Sequence, residues 1–144
     1  MNALEKQRKR MEAFDINAEI NAYVKDNEND IVDLNRNDQL YDKGIDSQGK
    51  AIRPKYALST RKTKKGITSH VTTRDSGIWH DSFFIKYAKK WFKISSGSRL
   101  VDGFKVRDWL IQRYGDLMGL TNSSLNKVSR GLKPHIQKRM LEWI

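Results

Sequence analysis

Residues 16–41, INAEINAYVKDNENDIVDLNRNDQLY, decide the fold because they combine regular apolar spacing with the absence of Pro and Gly. Apolar side chains recur at three- and four-residue steps, which is typical of one apolar face on a helix. The side chains of this face are Ile16, Ile20, Tyr23, Val24, Ile31, Leu34 and Tyr41. The spacing predicts a single helix of roughly 25 residues or more, since no helix-breaking residue occurs before Gly44.

The opposite face of this predicted helix is acidic. Its carboxylates are Asp26, Glu28, Asp30 and Asp33. Polar residues also interrupt the apolar face, so we expect the helix to be exposed along much of its length. Two interpretations remain open: a solvated amphipathic helix on the core of its own domain, or a helix whose acidic face contacts a neighbouring subunit.

Shorter elements are predicted on either side of this helix. A first helix is predicted over residues 2–13, and turn-forming residues follow the long helix at 44–54. Residues 55–69 contain no acidic side chain, which indicates an exposed and mobile basic loop. The basic residues of its centre are Arg61, Lys62, Lys64 and Lys65. Residues 70–74 are predicted to form a short strand.

The centre of the chain has the composition of a β-hairpin. Residues 82–96, SFFIKYAKKWFKISS, contain two runs of aromatic and β-forming residues. Lys89 and Lys90 separate the two runs. Lys86 and Lys93 are polar residues that alternate with apolar residues within them. This pattern predicts a small antiparallel sheet.

The last third of the chain predicts a loop and then helices. Residues 97–103 form the predicted loop, and a short helix that ends at Gly115 follows it. The apolar residues of that helix are Val106, Leu110, Ile111 and Tyr114. A final helix begins after the capping residue Thr121. Gly131 and Pro134 within it predict a kink or two shorter segments, because Pro lacks the helical N–H donor.

Together these elements predict an α+β fold with a long N-terminal helix, a small antiparallel β-sheet or hairpin, and C-terminal helices. A length of 144 residues suits a single domain covering 1–144. Its predicted parts are an N-terminal helical arm (1–45), a basic loop region (46–70), a β-hairpin region (71–100) and C-terminal helices (101–144).

Charge is distributed unevenly along the chain. Residues 1–50 hold eight Lys/Arg and eleven Asp/Glu, a balance of −3, whereas residues 51–144 hold twenty and six, a balance of +14. A basic surface favours nucleic acid, anionic membranes or acidic proteins as partners. The acidic N-terminal stretch is itself a candidate partner for the basic part of another copy.

Composition also excludes several classes of protein. The chain has no cysteine, so disulfides, thiolate metal sites and a cysteine nucleophile are excluded. No window resembles a membrane span, and the charged first residues lack the apolar centre of a secretion signal. We therefore expect a soluble protein of intracellular origin that does not bind membranes.

Catalytic and metal-binding patterns are not found. The only histidines, His70, His80 and His135, do not pair at ligand spacing, so we expect no metal and no cofactor. No nucleophile elbow or phosphate-binding loop occurs. Asp75 and Asp81 could hold Mg²⁺ in a nuclease, but Asp75 is better suited to cap a helix. We therefore expect no enzymatic activity, and a Mg²⁺-dependent nuclease is the weakest alternative.

The remaining patterns indicate binding. Residues 86–93, KYAKKWFK, interleave lysines with aromatic rings, and such a segment can contact phosphates while its rings stack on bases. A half-buried hairpin with rings inward and lysines outward gives the same pattern, and this core interpretation is favoured. Lys89 and Lys90, with the basic loop residues Arg61, Lys62, Lys64 and Lys65, are the candidate contacts to DNA or to an acidic partner.

Three segments carry a resemblance to a family of virion proteins. Residues 38–50 (DQLYDKGIDSQGK), 73–83 (TRDSGIWHDSF) and 116–138, with DLMGLTNSSL and KPHIQK, resemble segments of small virion proteins of crAss-like and other phages of gut bacteria. The middle segment is also similar to a motif of head–tail connector and tail-completion proteins. Ser76 replaces the usual Thr there. The structural motif implied by the resemblance comprises Asp75, Ser76, Gly77 and Ser82.

The resemblance implies a function in assembly. It implies a subunit of a homo-oligomeric ring in the phage neck, located in the virion, assembled in the host cytoplasm, and joined to the portal and to other neck and tail proteins. Genomic DNA would pass through the ring and contact basic side chains without sequence readout. The first alternative is a nonspecific basic nucleic-acid-binding protein that acts as a monomer or dimer.

Overall fold

The computed structural model describes residues 2–74, 77–97, 100–101 and 104–144. Its mixture of helices and small antiparallel sheets agrees with the predicted α+β class. The helices are α1 (Ala3–Ala13), α2 (Ile16–Asp26), α3 (Glu28–Asp33), a π-helix (Leu34–Lys43), α4 (Leu58–Thr63), α5 (Ile78–Asp81), α6 (Val106–Tyr114) and α7 (Asn122–Trp143). The strands are β1 (Phe84–Tyr87), β2 (Phe92–Ser95), β3 (Leu100–Val101) and β4 (Phe104–Lys105).

The stretch predicted as one long helix is divided into α2, α3 and the π-helix. Asn27 separates α2 from α3: its side-chain Nδ2 donates to the carbonyl of Tyr23 at 2.9 Å, and its φ is −115°. An Asn side chain that bonds to nearby backbone competes with helix propagation, which explains the break. The predicted single helix is therefore not confirmed, whereas the separate first helix is confirmed as α1.

The hydrophobic core contains the side chains of α2, α3 and the π-helix. Val24, Ile31, Val32 and Leu40 are buried there, with exposures between 0 and 4%. The other members of the core cluster are Ile52, Val71, Trp79, Phe83, Ile85, Ile94, Leu110 and Leu117. The expectation that this stretch is exposed along much of its length is therefore wrong, because the rest of the domain packs around it.

The predicted hairpin is confirmed as the antiparallel pair β1–β2. Ile85 lies opposite Ile94 and both are buried, whereas Lys86 lies opposite Lys93 and both are exposed. The side chain of Glu28 accepts a hydrogen bond from the backbone N–H of Ile85 at 2.9 Å. The edge of β1 is thereby joined to the start of α3.

Residues 70–74 do not form the predicted strand. Val71, Thr72 and Thr73 are buried, but the N–H groups of Thr72 and Thr73 donate to the Tyr56 hydroxyl at 3.1 and 3.3 Å. A phenol oxygen thus replaces the neighbouring strand as the acceptor. Buried N–H groups need a partner of either kind, and local sequence does not tell which one will supply it.

Two predicted loops contain regular structure. The basic loop over residues 55–69 includes α4, and the predicted loop over residues 97–103 includes β3, which pairs with β4. Both elements are short: α4 has six residues and β3 has two. Elements of this length have too few residues for hydrophobic periodicity to show them.

The C-terminal helices follow the prediction more closely. Helix α6 ends at Gly115, whose φ is +88°, and Thr121 caps α7 by accepting from the Ser124 N–H at 3.2 Å. Helix α7 continues through Pro134, so of the two predicted alternatives the division into two segments is wrong, and the kink stays a prediction. It packs along α1 and α2, where Arg139 contacts Glu19 at 3.1 Å.

Within the described residues, no helix is long and apolar enough to cross a membrane.

Candidate binding surfaces

Two buried amides join the π-helix to the segment before α7. Asn35 donates to the Leu117 carbonyl at 3.0 Å and accepts from the Gly119 N–H at 2.9 Å. Gln39, one turn further, donates to the Gly119 carbonyl at 2.8 Å and accepts from the Thr121 N–H at 3.0 Å. These amides supply the hydrogen-bond partners of backbone groups in an irregular segment that has no neighbouring strand. Their role is therefore to stabilise the fold.

The first and third similar segments meet at this place. The Ser47 N–H donates to the Asp116 carbonyl at 3.0 Å, and a Cβ atom on Gly119 would lie 3.2 Å from that of Ser47. Gly44 closes the π-helix at φ +63°, and a Cβ atom there would lie 2.5–2.8 Å from the His70 side chain. Residues 38–50 and 116–121 therefore pack against each other, and neither Gly44 nor Gly119 has room for a larger side chain.

The middle similar segment contains a buried histidine. His80 Nε2 lies 3.0 Å from Thr73 Oγ1, and the Trp79 indole N–H donates to Ser96 Oγ at 3.1 Å. Burial and the nearby guanidinium groups of Arg74 and Arg36 lower the pKa of His80 from 6.5 to about 4. The imidazole is therefore neutral at pH 7 and packs as part of the core.

Of the predicted structural motif, Asp75 and Ser76 lie outside the described residues. Gly77 begins α5 at φ +88°, close to the Arg74 guanidinium. Ser82 accepts a hydrogen bond from the Gly97 N–H at 3.2 Å and donates to the Trp79 carbonyl. Ser82 thus holds the end of α5 against the residue that follows the hairpin, and Gly77 allows the turn that begins α5.

The predicted acidic face is divided between internal and exposed positions. Glu28 bonds to β1, and Asp33 accepts from Arg36 at 2.6 Å. Asp26 and Asp30 are exposed and remain available to a neighbour. Asp33 is paired with Arg36 but keeps a side chain that is 42% exposed.

The predicted basic contact residues differ in their exposure. Lys64 is half-buried, donates to the Arg74 carbonyl, and lies 5.4 Å from the centre of the Tyr56 ring. These contacts hold its ammonium against the fold, and its contact with a partner stays a prediction. The remaining candidates are exposed: Arg61, Lys62, Lys65, Lys89 and Lys90.

The hairpin has an outward face that the sequence interpretation assigned to the core. Phe84 and Trp91 are 39% and 55% exposed, and the Lys86 ammonium lies 5.9 Å from the centre of the Phe84 ring. The residues buried beneath are Ile85 and Ile94. Within residues 86–93 the prediction of rings inward is therefore wrong for Tyr87 and Trp91, which are 37% and 55% exposed. Phe84 precedes that segment, and strict alternation places it on the lysine face. That alternation is the sequence signal that could have identified this face.

Among the described residues, no group of His, Asp and Glu side chains could hold a metal ion. Asp81 is exposed at the end of α5, and its suggested partner Asp75 lies outside the described residues. The described part of the chain presents surfaces with exposed charges and rings. These features suit binding to a large partner.

No family model, curated protein or solved structure matches the chain.

Proposed function

We propose that the chain is a structural virion protein, one subunit of a ring in the phage neck that joins the portal to the tail around the DNA channel. The proposal begins from the similarity of three segments to small phage virion proteins. The residues of these segments have structural functions in the fold, as described for Gly44, Ser82 and Gly119. Similar segments with structural roles are expected between proteins that share a fold but do not share a catalytic site.

The observation that carries the proposal is the joint between the first and third segments. Residues 38–50 and 116–121 are distant in sequence, yet the Ser47 N–H donates to the Asp116 carbonyl, and Asn35 and Gln39 bind the backbone beside it. A chance similarity would not be expected to fall on two segments that pack against each other. This contact therefore supports a common fold with the phage proteins.

Assembly requires surface that a partner can cover. Leu4 in α1 and Leu141 in α7 are each 76% exposed, and Met11 is 47% exposed. Large exposed apolar side chains at the two ends of the chain are suitable contacts for a neighbouring subunit. The exposed carboxylates Asp26 and Asp30 could face basic side chains of the next copy, since opposite charges fix orientation.

The proposal is tested by measuring assembly. The purified protein is mixed with the portal protein of the same phage, and the mass of the complex is measured by light scattering and its shape by electron microscopy. We expect several copies in a closed ring, either alone or on the portal. A protein that stays monomeric and does not bind the portal would contradict the proposed function.

A second function is favoured by the hairpin. Its exposed lysines and rings suit a nonspecific nucleic-acid-binding protein that acts as a monomer or dimer. The mass measured with and without the portal protein separates the two functions, because only a ring subunit is expected to form several copies, alone or on the portal.

A further inference from the structure

The outward face of the β1–β2 hairpin is basic. Between Phe84 and Lys93 the chain has four lysines and no carboxylate. Lys86 and Lys93 lie directly opposite each other, and Lys89 and Lys90 occupy the turn. All of these lysines are exposed, so their positive charges add along one ribbon.

Exposed aromatic rings lie among these lysines. Trp91 follows Lys90 at the tip and is 55% exposed, while Phe84 lies on the same face as Lys86 and is 39% exposed. The N–H of Ala88 donates to the Trp91 carbonyl at 2.8 Å, which closes the turn and fixes the backbone of Trp91. The tip therefore presents an indole ring between positive charges.

The opposite side of the hairpin is held by the helices. Ile85 and Ile94 enter the core, and Glu28 accepts from the Ile85 N–H. The Asn21 side chain donates to the Ala88 carbonyl at 2.7 Å, next to the turn. The ribbon is consequently ordered before any partner arrives, which lowers the entropy lost on binding.

We propose that this face binds single-stranded nucleic acid, with the lysines on phosphates and Trp91 stacked on an unpaired base. Charge complementarity selects a polyanion, and the exposed ring selects one whose bases are free to stack. Duplex DNA offers the same phosphates but covers its base faces. An acidic protein surface would use the lysines but would have no need of the indole ring.

The test compares binding of a labelled oligothymidylate of about 16 nucleotides with binding of a duplex of the same length, by fluorescence anisotropy. We expect tighter binding to the single strand. Four phosphate contacts predict a slope of about −3 for the logarithm of affinity against the logarithm of salt concentration. Equal or tighter binding to the duplex would overturn the proposal, as would no binding at about 50 mM salt.

Variants assign the roles of the side chains. Trp91→Ala is expected to weaken single-strand binding by about 5-fold to 100-fold, as loss of a stacking ring does. Lys89→Gln combined with Lys90→Gln is expected to reduce the salt slope by about 1.4. The matched control is Trp109→Ala, since Trp109 is 48% exposed and belongs to α6 and not to the hairpin.

The outcomes separate the possible partners. Loss of affinity in the lysine variant with unchanged affinity in Trp91→Ala would indicate binding by charge alone and overturn the proposal. An equal loss in Trp109→Ala would do the same. These measurements do not depend on ring formation, so a protein that fails to assemble can still bind the strand, and an assembled ring can still fail this test.

Discussion

His80 has a structural role in the fold, although its sequence context is compatible with several roles. A His next to an Asp can be catalytic, exposed or packed, and the local sequence does not decide among these roles. In the structure His80 is 3% exposed, contacts Thr73, and lies 5.6 Å from Trp79 between ring centres. Burial disfavours the charged form of His80, so the folded protein is expected to lose stability at low pH.

We expect the free energy of unfolding to fall as the pH decreases from 6.5 to about 4, the pKa values of the unfolded and folded His80. In that interval the unfolded chain binds a proton that the folded chain does not, so protonation favours unfolding. The loss would reach at most about 3 kcal/mol and would not grow below the lower pKa. Urea unfolding at a series of pH values measures it.

His80→Gln is the control, because Gln can still bond to Thr73 and does not titrate in this range. The difference in stability between the native protein and this variant should be constant above pH 6.5 and should fall below it. This subtraction removes the contributions of all other groups that change protonation in the same pH range. A difference that does not change with pH would contradict the assignment.

At the scale of elements, the π-helix determines how the two halves of the domain join. Its Asn35 and Gln39 are 0% and 1% exposed and point to residues 117–121. Sequence reasoning missed them because polar side chains were taken to interrupt an apolar face. The i, i+4 spacing of two amides was the available signal, but it did not reveal which backbone groups they would satisfy.

Asn35→Ala is expected to lower the free energy of unfolding by about 2 to 4 kcal/mol, because it leaves the Leu117 carbonyl and the Gly119 N–H without their partner. Thermal and urea unfolding measure the loss. Asn37→Ala is the matched control, since Asn37 lies on the same helix, is exposed, and bonds only to the Asp33 side chain. Equal losses in the two variants would refute this role of Asn35.

The elements that sequence predicted well are those in which local pattern and packing agree. The hairpin alternates clearly at Ile85 and Lys86, and α6 ends at a Gly whose φ is positive. The strand predicted over residues 70–74 failed because Tyr56, distant in sequence, supplies the acceptor. The exposed rings of Tyr87 and Trp91 were predicted to point inward because hydrophobicity alone does not distinguish the two faces of a ribbon.

At the scale of the whole molecule, charge is unevenly distributed along the chain. The exposed acidic surface is smaller than the predicted acidic face. Residues 1–50 have a balance of −3 and residues 51–144 a balance of +14. Glu28 and Asp33 are engaged within the chain, so Asp26 and Asp30 are the part of the predicted acidic face left for a neighbour. If copies form a ring, this pair is where basic side chains of the next copy would bind.

Asp26→Lys combined with Asp30→Lys is therefore expected to prevent or weaken assembly without unfolding the subunit, because both side chains are exposed. The control is Asp42→Lys combined with Asp81→Lys, which makes the same change in net charge at exposed carboxylates elsewhere. Raising the salt concentration from about 0.1 M to about 1 M should weaken assembly of the native protein, since the screening length falls from about 10 to about 3 Å. Mass measurement by sedimentation checks both effects. Equal assembly of the two variants would mean that net charge or apolar contacts, and not this acidic pair, orient one subunit against the next.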